Sequence, residues 1–170
     1  MVKHPESSSQ AEALGAAAIA VRHFKHAIFA ESSNFFIAKV VKYDKVNHLA
    51  DVQPLAKLST GQTVAQYLEL PVVESCYLLD EMVDALKPEF AKADQNHTIP
   101  AHIHTNFVGK MPKRHFMRAG VPVVCAVLDR DNDNWGGGRS VEAFEPNSSR
   151  MHDANDAVVI GVLGGTWLDG

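Results

Sequence analysis

The chain has little of several features that would assign a protein quickly to a class. It contains only two cysteines, Cys76 and Cys125, and each lies in an apolar run, which predicts buried free thiols and no disulfide framework. No apolar run reaches the length of about 18 residues that a membrane-spanning helix needs, and the N-terminus has no apolar signal-peptide core. We therefore expect a protein that is soluble when it is made, with its 170 residues forming one main domain.

Basic charge is also scarce. Sixteen lysines and arginines stand against twenty aspartates and glutamates, which gives a net charge of −4, and no basic run is longer than Lys113-Arg114. Aromatic residues make up only 8% of the chain, which is few for a surface that stacks on bases. The composition therefore argues against nucleic acid as a partner.

What the sequence does contain begins with a helix. Residues 1–9 are polar and rich in serine, and we expect a disordered tail there. A helix is predicted from about residue 10 to residue 30, within an N-terminal segment 10–33. The evidence is a stripe of apolar residues with a 3-4-3-4 spacing at Leu14, Ala17, Val21, Phe24 and Ile28. This stripe either packs on the chain's own domain or forms a short seam between subunits.

Strand patterns follow the helix. Segments rich in β-branched and aromatic residues predict strands at 35–44, 48–56, 63–73, 121–129 and 157–163. A second helix is predicted at 77–87, ending before Pro88. Residues 89–118 are irregular and rich in histidine, which indicates an extended excursion. The expected fold is therefore mainly β: a five-stranded OB-fold barrel at 34–170, with a helix-plus-extended-hairpin insertion at 75–116 between strands 3 and 4.

The loop after the fourth strand, 129-DRDNDNWGGGR-139, carries aspartates at alternate positions. Asp129, Asp131 and Asp133 match the first, third and fifth ligands of an EF-hand calcium loop. The sixth position is Asn134 where a glycine is needed, and the twelfth is Ser140 where a glutamate is needed. A phosphate-binding loop would need Lys-Ser/Thr after the glycines, and this loop lacks it. We therefore expect a structural turn that binds no calcium.

Aromatic and basic residues complete this turn. We expect Trp135 to fold back on the barrel, and the glycines that follow it allow positive φ angles. Arg130 and Arg150 flank the loop, and an ion pair from arginine to aspartate across it is the simplest role for both. Such a turn needs no bound ion.

The strings VCAVLDRDNDNWGGG and RMHDANDAVVIGVL resemble the OB-fold domain of the central spike, or membrane-puncturing, proteins of contractile-tailed bacteriophage baseplates. In that family an apolar strand runs into an Asp-Arg-Asp loop with a tryptophan, and an Arg-x-His segment precedes an Asp-Ala pair and the last strand. The matching residues here are Asp129, Arg130, Asp131, Trp135, Arg150, His152 and Asp156. The resemblance extends over about 10–161, interrupted by the insertion, and includes DVQPL at 51–55.

The resemblance implies a structural function without enzymatic activity. A protein of this kind is a homotrimeric central spike or hub-capping protein at the distal end of the baseplate, where it plugs the tail tube and helps penetrate the host envelope. Its partners would be its own copies, the baseplate hub or tail tube proteins, and the host cell envelope. It would be found in the virion, at the tail baseplate, after assembly in the host cytoplasm. The apolar helical stripe would then be the trimer seam.

Two histidines, His102 and His104, alternate as residues on one face of a strand do. A His-x-His metal enzyme is one alternative function, although a cupin would need a nearby glutamate that is missing here; an OB-fold ligand-binding module is another. In a trimer the two imidazoles of each chain would give six nitrogen ligands around one axis, and spike proteins of the resembled kind have a His-x-His iron site near the tip. We therefore predict one iron ion, or else zinc, per trimer, with His97 and His115 as lesser candidates.

Overall fold

One antiparallel sheet of five strands forms the main body of the protein in the computed structural model, which describes residues 6–32, 34–102, 104–137 and 140–164. The strands in these residues are β1 (Phe35–Asp44), β2 (Leu49–Pro54), β3 (Tyr67–Pro71), β4 (Pro122–Val127) and β5 (Ala157–Val162). They lie in the order β3-β2-β1-β4-β5. Each segment predicted as a strand contains one of them, so the strand prediction is confirmed.

The sheet curls until its two edges meet. Val72, which follows β3, forms a parallel bridge with Val159 of β5. The N–H of Val73 also donates to the carbonyl of Val159 at 3.0 Å. Register shifts in the β1–β2, β2–β3 and β4–β5 pairings add local bends that help the sheet to curl. The result is a barrel-like sheet with one face turned inward.

The inward face of the sheet holds the core. Its strand residues reach this face at alternate positions, as the period of two in a strand requires. The buried apolar residues are Ala38, Val40, Ala50, Val52, Leu70, Val72, Cys76, Met117, Val121, Val123, Cys125, Ala157 and Val159. Both cysteines are buried free thiols, as predicted, and burial raises the pKa of the Cys125 thiol to about 12. A thiol that stays protonated acts here as a small apolar side chain.

Between β3 and β4 the chain forms a long helix, α2 (Leu78–Gln95). The prediction that it ends before Pro88 is wrong, because the helix continues through this proline to Gln95. A proline removes one backbone hydrogen bond, and tertiary contacts offset that loss further along the helix. The ring of Phe90 packs against Phe107 at 5.4 Å, and the carboxylate of Asp94 accepts hydrogen bonds from residues beyond the helix.

The segment after α2 folds back on the helix, and the extended hairpin expected here is wrong for the residues that the structure describes. It contains a short 3-10 turn at Pro100–His102 and a short helix, α3 (Phe107–Lys110). Asp94 accepts the backbone N–H groups of Phe107 and Val108 at 2.9 and 3.0 Å. Turn chemistry around Asn96 and Pro100 breaks the chain into short pieces, so no strand period can develop.

The N-terminal unit, residues 1–33, contains one helix, α1 (Glu6–Glu31). It begins earlier than predicted, so the disordered tail expected at 1–9 is wrong for residues 6–9, and residues 1–5 lie outside the described part. The predicted apolar stripe is exposed, with Leu14 at 72% and Phe24 at 68%. Within the described residues, none of the helices has both the length and the apolar character needed to cross a bilayer.

Candidate functional site

Arg150 ties together the loop after β4 and the turn before β5. Its Nε donates to Oδ2 of Asp156 at 2.8 Å, and its Nη2 donates to Oδ1 of the same carboxylate at 2.8 Å. The Nη2 group also lies 3.4 Å from Asp133 and 3.5 Å from Asp131. The ion pair that the sequence predicts between an arginine and the aspartates is therefore present for Arg150.

The two buried carboxylates of this cluster, Asp131 and Asp156, have several donors each. Asp131 accepts the hydroxyl of Ser148 and the backbone N–H of Asp133, the latter at 3.0 Å. The hydrogen bond from Ser148 is the main reason that the pKa of Asp131 lies below its ordinary value, and the charge of Arg150 lowers it further. Asp156 accepts the backbone N–H of Asn132 at 3.2 Å in addition to the guanidinium. The cluster thus holds the loop backbone at several points.

The remaining motif residues lie around the edge of this cluster. Arg130 is exposed and pairs only with its neighbour Asp129, at 3.3 Å, among the residues described. His152 has a positive φ of 49° and places Nε2 at 3.2 Å from Asp129. Trp135 is half-buried, and its indole N–H lies 3.4 Å from the carbonyl of Ser140. The structure therefore brings His152 to Asp129 but leaves Arg130 outside the cluster.

The three aspartates of this cluster form a possible binding site for a divalent cation. Carboxylate oxygens of Asp131, Asp133 and Asp156 lie within 4.8 Å of one another, and such a group is able to hold a metal ion. The guanidinium of Arg150 already contacts all three, and its pKa is raised mainly by the hydrogen bonds to Asp156. A fixed internal cation therefore stands where a metal ion would bind. The arrangement fixes the loop after β4 to the turn before β5.

The two histidines predicted as metal ligands are not on a strand. His102 ends the 3-10 turn that begins at Pro100, and His104 follows in an exposed turn. The strand face assumed for these residues is therefore wrong, for the same reason that the hairpin is wrong. Among the residues that the structure describes, the buried Nδ1 atom of His102 has no hydrogen-bond partner. His115, a lesser candidate, contacts Asp84 at 3.1 Å, while His97 lies in the turn after α2.

Sequence reasoning missed two residues with structural roles, one in the Arg150 cluster and one on α2. The hydroxyl of Ser148 donates to the carboxylate of Asp131. Ser148 lies in a polar segment without periodicity, so nothing in the local sequence distinguishes it from other serines. Asp80, in the first turn of α2, is buried and accepts the backbone N–H groups of Phe116 and Met117 at 2.6 and 2.8 Å. The sequence feature that could have indicated Asp80 is an acidic residue within a stripe of apolar helical residues.

Comparison with known proteins assigns no family: no family model matches the sequence, and no curated protein matches it either. The site is therefore interpreted from its own geometry. That geometry is a network of carboxylates and one guanidinium that fixes a loop beside the last strand.

Proposed function

We propose that the chain is a subunit of a homotrimeric central spike or hub-capping protein at the distal end of a contractile phage tail. There it plugs the tail tube and helps penetrate the host envelope, and it has no enzymatic activity. The observation that carries this proposal is the Arg150 cluster. Three residues of the resembled motif meet there: Arg150 pairs with both Asp131 and Asp156, and these ion pairs serve the shape of the loop.

The finer description of the fold is part of the same proposal. We propose that the curled sheet is an OB-fold barrel. Three observations support it: β1 pairs with both β2 and β4, the β3 and β5 edges meet through a parallel bridge, and α2 lies between β3 and β4 in the chain. In this description, α2 and the folded segment after it form the insertion at 75–116.

Two exposed apolar surfaces support a trimer. One is the stripe on α1, where Val21 is 55% and Ile28 is 48% exposed. The other is the outer face of β1, where Phe35 is 70% and Ile37 is 50% exposed. The partners of these two residues on β4 are Ala126 and Val124, which are also apolar. Apolar surfaces of this kind mark interfaces in soluble proteins, and contact with further copies of the chain would cover them.

The mass in solution tests the proposal. Light scattering during size-exclusion chromatography should give three times the 18.5 kDa mass of one chain. A monomer at micromolar concentration would contradict the trimer. Antibody labelling of particles that carry the chain should mark the distal tip of the tail, and label along the sheath would contradict the proposed location.

A further inference from the structure

Two neighbouring cavities lie beside α2 and have three lining residues in common. The first has a volume of about 410 Å³ and lies against the end of β1, and the second has a volume of about 300 Å³. Asp80, His115 and Arg118 line both. Cavities of about 300–1,000 Å³ are typical of small-molecule sites. Together these two have the size of one binding site with two compartments.

The second cavity concentrates positive charge on an acidic protein. Four cationic side chains line it: Lys87, Lys113, Arg114 and Arg118. Only two carboxylates line it, Asp80 and Asp84, so its lining has an excess of two positive charges, whereas the whole chain has a net charge of −4. Such a concentration attracts an anion.

Both carboxylates of this cavity are already engaged. The oxygens of Asp80 accept the backbone N–H groups of Phe116 and Met117. Asp84 binds Lys45 and also His115, the latter at 3.1 Å. Among the residues that the structure describes, no carboxylate forms an ion pair with any of the four cations. Their charges are therefore not neutralised by a carboxylate, although Arg118 donates one hydrogen bond to the carbonyl of His115.

The first cavity is more apolar. Its apolar and aromatic lining residues are Val41, Tyr43, Tyr77, Met117 and Ala119, and Lys42 and Lys45 also line it. Burial raises the pKa of Tyr43, so its phenol stays neutral near this compartment. Glu81 also lines it but contacts His48 at 3.4 Å, and the ring of His48 stacks on Tyr77 at 3.7 Å. This compartment fits an aromatic or apolar group better than a second charge.

We propose that the two cavities form one binding site for a phosphate monoester with an aromatic or apolar substituent. Arginine guanidinium groups bind phosphate oxygens in pairs, and lysines add charge, so Arg114, Arg118 and Lys113 hold the phosphate. The substituent lies in the first cavity, against Tyr43 and Ala119. This inference does not depend on the proposed function, since it uses neither the trimer nor the Arg150 cluster.

Calorimetry with three probes tests the site. Phenyl phosphate should bind with a dissociation constant of about 1 mM or below. Inorganic phosphate should bind about tenfold more weakly, because it leaves the apolar compartment empty. Benzyl alcohol, which lacks the anion, should show no measurable binding. Binding of all three probes with equal strength would overturn the proposal.

Substitutions separate the two compartments. Arg118→Gln should weaken phenyl phosphate binding about tenfold. Since Arg118 also donates to the carbonyl of His115, the double variant Lys113→Gln, Arg114→Gln provides a second test at two exposed side chains. The matched control is Arg130→Gln, which removes an exposed arginine away from both cavities and should leave binding unchanged.

Filling the first cavity tests the substituent. Ala119→Trp should reduce phenyl phosphate binding to the level of inorganic phosphate, while inorganic phosphate binding stays the same. Vesicles of phosphatidylcholine with phosphatidic acid then distinguish the source of the ester: displacement of phenyl phosphate indicates a lipid headgroup, and no displacement indicates a soluble ester. Either result is consistent with the site. Equal phenyl phosphate affinity in the wild-type protein and in the Lys113→Gln, Arg114→Gln variant would overturn it.

Discussion

Arg150 and Asp156 form a bidentate ion pair in which both carboxylate oxygens accept a guanidinium N–H at 2.8 Å. Asp156 is fully buried and ends the short turn that leads into β5. The same guanidinium reaches Asp131, which is also fully buried. A single positive charge therefore compensates two buried negative charges, and its removal would leave both carboxylates buried without a cation.

Removal of Arg150 should destabilise the fold. Arg150→Gln leaves two buried carboxylates without a cation, and we expect the melting temperature to fall by about 10 °C. Arg150→Lys should recover only part of the loss, because an ammonium group cannot make the bidentate contact. Circular dichroism melts measure both. The control Arg130→Gln removes an exposed arginine of the same loop and should change the melting temperature by about 1 °C or less. An equal effect of the two glutamine variants would contradict the role given to Arg150.

Calcium should bind to the cluster only when the arginine is absent. In the wild-type protein the guanidinium lies among Asp131, Asp133 and Asp156, so about 1 mM calcium should leave the melting temperature unchanged. In Arg150→Met the three carboxylates lose their internal cation, and calcium should then raise the melting temperature of the variant. Tight calcium binding by the wild-type protein that Asp131→Asn abolishes would show that the loop is a calcium site after all.

Stability at acid pH should depend on Ser148. The pKa of Asp131 is lowered in the folded state, first by the Ser148 hydroxyl. A carboxylate of this kind contributes stability that is present above its ordinary pKa and is lost as the pH falls below about 4. Ser148→Ala should lower the melting temperature at pH 7 by about 3 °C, with a smaller difference from wild type at pH 3. Ser149→Ala is the matched control, and a constant difference across pH would contradict the assignment.

The sheet could be predicted from the sequence because its signal is local. The strand β1 alternates between the buried Ala38 and Val40 and the exposed residues beside them, and its predicted and observed bounds agree. The helix α2 was harder to delimit, because contacts distant in sequence decide its end. Phe107, which lies outside the helix, packs against Phe90 of α2, and no local sequence pattern predicts that contact.

The candidate site was predictable in its residue types but only partly in its contacts. Asp131 and Arg150 were identified from the resemblance and from their charges, and they do contact. Arg130 carries the same charge and is adjacent to Asp131 in the sequence, yet it pairs with its other neighbour, Asp129. Arg150 and not Arg130 joins the cluster because the turn before β5 buries Asp156 beside Arg150. No local sequence pattern predicts this placement.

The metal ion predicted for a trimer remains a proposal with a direct test. The buried Nδ1 of His102 has no hydrogen-bond partner within the described part of the chain, and a metal ion is one group that would satisfy it. Elemental analysis should find near one iron, or else zinc, per three chains, and the double variant His102→Ala, His104→Ala should lose it. His97→Ala should retain the metal. A metal-free trimer purified without chelators would contradict the site.

The trimer should depend on both exposed apolar surfaces. Val21→Asp places a charge in the α1 stripe, and Ile37→Asp places one on the outer face of β1, so each should weaken assembly by more than about a hundredfold. Mass photometry or light scattering over a dilution series measures the change. Val46→Asp is the matched control: Val46 is 86% exposed in the turn after β1 and belongs to neither surface, so the same substitution there should leave the trimer intact. If Val21→Asp alone dissociates the protein, α1 is the seam and the β1 face serves another contact. If neither substitution changes the mass, both surfaces lie outside the subunit interface.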